Sequence, residues 1–130
     1  MLKQKIIKEN YKLTLEENNM IFLYFFHNNF WEKIGSLIFE FTNYILMGEK
    51  NDYCNLINMH IDEKHQNKNF GHAMFEYLLE NLSENTYAVI CNREKILNKI
   101  QVPKIFRKNN SFNVGNFELI LNKNFKNFNK

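Results

Sequence analysis

Proline and cysteine are nearly missing from this chain of 130 residues, which holds one proline, Pro103, and two cysteines, Cys54 and Cys91. Both cysteines fall inside apolar, strand-like runs and follow no zinc-type spacing, which excludes a disulfide-stapled scaffold and reads as buried reduced thiols. A long hydrophobic run is also missing: the most apolar stretch, Ile21 to Phe26, is far too short to span a bilayer. The basic start, Met1-Leu2-Lys3-Gln4-Lys5, has no apolar core or cleavage site behind it. The expectation is a cytoplasmic protein with no membrane partner. The net charge of +3 is slight, so no nucleic-acid partner is expected from it.

What the chain does have is an apolar core. Thirteen phenylalanines and a hydrophobic fraction of 45% suffice for one domain over residues 1–130, with 122–130 as a polar tail. Lys5 to Leu15 reads as one strand or a hairpin, and Met20 to Phe26 as a strand. Trp31 to Phe41 reads as a long strand in which Gly35 marks a bulge or a close backbone approach. Gly48 to Asp52 carries turn chemistry. Further strands are expected over Tyr53 to Ile61, Tyr87 to Cys91 and Val114 to Leu121. Helical segments are expected up to Leu82, over Arg93 to Ile100 and from Pro103 to Lys108. Strands first, then strand–helix–strand–helix–strand, give an α/β (α+β) fold, a mixed and mostly antiparallel sheet flanked by helices.

The stretch from Asn55 to Leu82 organises the rest. A buried strand runs through a polar turn, Asp62 to Asn69, into a helix with Met74, Phe75, Leu78, Leu79 and Leu82 on one face. Such a turn leaves free backbone N–H groups at the positive end of the helix dipole, which suits an anion.

Gln66-Asn67-Lys68-Asn69-Phe70-Gly71, followed by Ala73, resembles the pyrophosphate-binding signature of the GNAT superfamily of N-acetyltransferases. Asn69 stands where that family usually has glycine, and asparagine tolerates the left-handed backbone better than other non-glycine residues. Thr86 to Cys91, Asn92, the segment Ile105 to Phe112 and Phe117 to Leu121 are similar to the family's later elements. Lys33 to Phe39 is similar to an early strand. The resemblance implies acetyl-CoA as cosubstrate and direct transfer to a primary amine on a small molecule, such as an amino-sugar phosphate, or on a protein. It implies that Met59, His60, Ile61, Gln66, Asn67, Lys68, Asn69, Phe70, Gly71, His72, Asn92 and Phe106 line the cofactor. Two helices that the family places between its first two strands have no room in Glu16 to Phe30, so a hairpin or a single turn is expected there.

Catalytic candidates are few. His60 has the intrinsic pKa of a base and shares a strand face with Asn58 and Asp62, although an ordinary strand histidine fits as well. The tyrosine that often protonates the leaving thiolate is replaced by Phe106 or Arg107, depending on alignment, which leaves Tyr87 and Tyr53 as substitutes; each also reads as a core aromatic. His60, His65 and His72 match no metal-ligand spacing, so no metal is expected. A GNAT-like binding module without turnover is the alternative, and the aromatic N-terminal strands permit a homodimer.

Overall fold

The structure, a computed structural model, describes residues 1–92, 111–114 and 117–126. The segments expected to be helical between Arg93 and Lys108, with Phe106, lie outside the described residues. The strands are β1 (Lys3–Lys8), β2 (Tyr11–Glu16), β3 (Met20–His27), β4 (Phe30–Leu46), β5 (Glu49–Ile61), β6 (Thr86–Asn92), β7 (Ser111–Val114) and β8 (Phe117–Leu121). A 3-10 turn at Glu63–His65 and the helix α1 (Phe70–Glu80) separate β5 from β6. All strands join one sheet in the order β1-β2-β3-β4-β5-β6-β8-β7, antiparallel throughout except for the β5–β6 pair. That parallel pair needs a crossover, and α1 supplies it.

Asparagine does much of the turn work that glycine does elsewhere. Asn10 and Asn19 lie in the first two hairpins at φ of 69° and 61°, and Asn28 and Asn29 make the third at 51° and 67°. Consecutive positive φ angles are what a two-residue hairpin turn requires. The connection from β2 to β3 is only Glu17-Asn18-Asn19, so a tight hairpin stands where two helices were expected to be lost.

Alternation along each strand sends Leu13, Ile21, Leu23, Leu37, Phe39 and Leu56 to one face, where α1 packs with Phe70, Met74, Phe75 and Leu78. A smaller cluster of Tyr53, Ala88, Ile90 and Leu119 is buried apart from it.

Three boundary expectations are corrected. Gly48 to Asp52 is not a loop: Met47 and Gly48 alone make the turn, at φ of 52° and 79°, and β5 begins at Glu49. The last strand is preceded by a partner, β7, which the polar Asn109-Asn110-Ser111 run disguised. The stretch expected as a polar tail is packed against the domain as far as Lys126. Asn122 donates from Nδ2 to the carbonyls of Ser83 and Thr86 at 3.0 and 2.8 Å, and Phe125 is 6% exposed against Tyr87.

Candidate functional site

Pairing between β5 and β6 stops early. The register runs from Asp52↔Thr86 to Asn55↔Ile90, and β5 continues alone on that side to Ile61. Among the described residues, no strand joins β5 on this edge beyond Asn55. On its other edge β5 stays paired to β4 as far as Ile61↔Gly35. A gap therefore opens between the C-terminal ends of two parallel strands, the place where open α/β sheets admit ligands.

A bulge sharpens the gap. Phe39 pairs with Leu56 and Ile38 with Asn58, so Ile57 is an extra residue on β5. It is 42% exposed although apolar. The bulge resets the alternation: Cys54 and Leu56 face α1, and so do Met59 and Ile61, while Asn58 and His60 turn to the opposite face. The bulge was not among the expectations, yet its signal lies in two adjacent apolar residues, Leu56-Ile57, followed by an apolar phase shifted by one. The expected tight spot at Gly35 is real. A Cβ there would meet the His60 carbonyl oxygen at 2.9 Å, so glycine lets β4 hold the end of β5 closely.

Beyond Ile61 the chain turns through Glu63–His65 and reaches Asn67 and Asn69, both left-handed at φ of 64° and 63°. Asn69 sits at the N-cap of α1, but its side chain makes no cap hydrogen bond, leaving the first amides of the helix without that acceptor. Gly71 follows in the first turn. An added Cβ would meet only Met59 Sδ, at 3.5 Å, so the protein itself has room for a side chain there.

Met59, Ile61, Gln66, Asn67, Lys68, Asn69, Gly71 and His72 thus gather at one end of the sheet, around the turn and the first residues of α1. Their side chains are used unequally. Gln66 Nε2 donates to the Ile61 carbonyl at 2.9 Å, tying the turn to the strand. Lys68 leans toward Tyr11, whose hydroxyl lies 3.5 Å from its Nζ, and Lys8 Nζ donates to the Lys68 carbonyl at the same distance. Phe70 is 2% exposed and packs tilted against Tyr11, ring centroids 4.5 Å apart, so it offers only main-chain atoms to a guest. His72 stands one turn before Glu76, with Nδ1 3.7 Å from Oε2. Asn92 ends β6 on the gap side of the β5–β6 pair.

His60 faces away from α1. Its side chain is 64% exposed, and Nε2 lies 3.1 Å from Asp62 Oδ1. Tyr87 does not join it. Tyr87 sits beside Tyr53 at 5.7 Å, at the start of β6, and β5 climbs seven residues from Tyr53 to His60. At a parallel-strand rise of about 3.3 Å per residue that is roughly 20 Å. The two proposed catalytic groups cannot serve one site, and Tyr53, 1% exposed in the small cluster, shares the distance. All six tyrosines lie at or before Tyr87.

Burial lowers the His65 pKa, with Lys68 nearby acting in the same direction, and its Nδ1 lies 3.1 Å from the Tyr11 hydroxyl. Desolvation pushes the Cys54 thiol far up, helped by Cys91. Among the described residues no three His, Cys, Asp or Glu side chains gather to hold a metal, and no helix is long and apolar enough to cross a membrane.

No protein-family model and no curated protein matches the chain. Solved structures do. A KacTA–DNA complex matches at a TM-score of 0.62 and 10% identity, over 87% of this chain and 74% of that one. An AtaT toxin variant bound to the C-terminus of the antitoxin AtaR and acetyl-CoA matches at 0.60 and 13%, over 85% and 72%. AtaT complexed with acetyl-methionyl-tRNAfMet matches at 0.54 and 10%, over 94% and 77%. These neighbours correct one expectation, the exclusion of nucleic acid from the slight net charge, since proteins of this architecture are seen with DNA and with tRNA. These neighbours are GNAT-type acetyltransferases, and it is their fold that this chain shares.

Proposed function

We propose that the protein is an acetyl-CoA-dependent N-acetyltransferase acting on a primary amine. The observation that carries this reading is the divergence of β5 from β6 past Asn55, directly beside a helix start whose amides have no side-chain cap. A pyrophosphate fits such amides, because they point outward at the positive end of a helix dipole. The unpaired edge of β5 from Ile57 to Ile61 offers strand N–H groups to the thioester carbonyl, which sharpen its electrophilicity as charge develops on oxygen.

His60 is the base in this reading. It lies on the open face, where an amine can approach, and Asp62 orients its ring as carboxylates orient catalytic imidazoles. The tyrosine nearest this turn, Tyr11, holds its hydroxyl against His65 and Lys68 on the α1 face, and no tyrosine follows Tyr87, so the departing thiolate takes its proton from solvent in this reading. The acceptor class is taken from AtaT, seen with an acetylated aminoacyl-tRNA: an aminoacyl ester carries a free amine of the required kind.

Acetyl-CoA at a hundred times its Kd stabilises the folded state by about 2.7 kcal/mol, so the melting temperature rises by several degrees if the site is real. Thiol release is then measured over a panel of amines that includes aminoacyl-tRNA and amino-sugar phosphates. No thermal shift with acetyl-CoA ends the transferase reading. A shift without thiol release on any amine favours the second reading, a CoA-binding module, which the missing tyrosine supports.

A further inference from the structure

The face of β1–β4 turned away from α1 is aromatic and carries two lysines, Lys12 and Lys33, with the carboxylate of Glu16 near Tyr24. Cross-strand register places Lys12, Tyr24 and Lys33 in one row and Phe22, Ser36 and His60 in the next. Phe26 and Trp31 pair beyond them, with ring centroids 5.1 Å apart. Lys12 Nζ stands 4.4 Å over the Trp31 ring and 5.7 Å from the centre of Tyr24, and Lys33 Nζ stands 4.4 Å over Phe22. Phe22 and Tyr24 meet edge to face at 6.2 Å. Rings at neighbouring positions of a sheet hold one another upright, and the ammonium groups stay at the surface above them.

Among the described residues no helix covers this face, because α1 packs on the other one. The three-residue connection from β2 to β3 supplies no helix to cover it. The chemistry present, flat rings for stacking and cations for phosphates, is what a single-stranded nucleic acid uses when it binds without base pairing. An acidic protein would use the lysines but leave the row of rings unexplained. Gln4, Ser36, Asn58 and His60 add polar groups on the same face, placed to meet ribose 2′-hydroxyls.

We propose that this face binds single-stranded RNA and leads its amine-bearing end to His60. Ser36 is the register partner of both Phe22 and His60, so the stacking row runs straight into the reactive end of β5. Two strand spacings, about 10 Å, separate Phe22 from His60, within the reach of one nucleotide and its aminoacyl group. The proposal deepens the acetyltransferase reading but does not need acetyl-CoA to be tested.

Trp31 is the sole tryptophan, so its fluorescence reports on this face alone. An unmodified single-stranded RNA of about eight nucleotides, titrated without acetyl-CoA, is expected to quench it. Trp31→Ala, followed by anisotropy of labelled RNA, should weaken binding roughly tenfold or more. Lys12→Gln and Lys33→Gln, both surface changes that keep the fold, should each lower the slope of log K against log salt by about 0.7. DNA of the same sequence should bind several-fold more weakly, and duplex RNA or a polyglutamate peptide weaker still. Unchanged salt slopes in both lysine variants, or equal affinity for DNA, duplex RNA or polyglutamate, would overturn the proposal. RNA binding by a protein that never releases thiol overturns the transferase reading and leaves this one standing.

Discussion

The two halves of β5 make the most informative comparison in the molecule. From Glu49 to Asn55 the strand is flanked by β4 and β6, and Tyr53 and Cys54 are buried. From Leu56 to Ile61 it keeps only β4 among the described residues, carries a bulge, and exposes Ile57, Asn58 and His60. One continuous strand is core at its start and, among the described residues, an open edge at its end. The lesson is that the site arises from subtraction, a partner strand withdrawn, while the glycine at position 35 and the β4 ladder keep the bared end in place.

That contrast can be broken from either half. The largest effect is expected from Tyr53→Ala, which opens a cavity in the small cluster and should cost about 3–5 kcal/mol in denaturant unfolding. Acetyl-CoA affinity of the remaining folded fraction should not change, because Tyr53 lies at the far end. A loss of affinity beyond the loss of fold would mean that the halves are coupled.

Next in size is Asn69→Val. A β-branched residue at φ 63° strains the turn by about 1–2 kcal/mol, and calorimetry should show acetyl-CoA binding at least tenfold weaker. Asn69→Gly should keep the affinity or improve it. Gly71→Ala is the companion test: the fold accommodates the Cβ, so lost affinity there reports on the guest.

His60→Ala should leave stability within about 0.5 kcal/mol, since the residue is mostly exposed. It should lower kcat by roughly a hundredfold or more if the ring is the base, and equal rates would return it to an ordinary strand residue. The smallest effect concerns pH. Burial holds the folded-state His65 pKa below its unfolded value, so the unfolded chain binds the proton more readily. Stability is then fully present above the unfolded pKa and declines as pH falls below about 6.5. His65→Asn should flatten that decline in melting temperature.

Much of the fold was legible because alternation and helical spacing are local. Tyr53 to Ile61 and the α1 face from Met74 to Leu82 follow directly from where their apolar residues fall. The left-handed Asn69 was legible too, from its place in the GNAT-like signature. What local reading could not supply was pairing. Glu49 to Asp52 look like a loop and are held in a strand by Tyr44 to Leu46 opposite them. Tyr87 looked like a substitute acid until the β5–β6 register put it at the wrong end. Phe125 in a lysine- and asparagine-rich tail gave no hint that it would lie against Tyr87.

The bare helix start at Asn69 has a consequence for endurance as well as recognition. Side-chain caps are worth about 0.5–2 kcal/mol to a helix, and α1 is built without one. An anion bound there would complete the helix, and its occupancy should be visible as slowed amide hydrogen exchange through the first turn of α1.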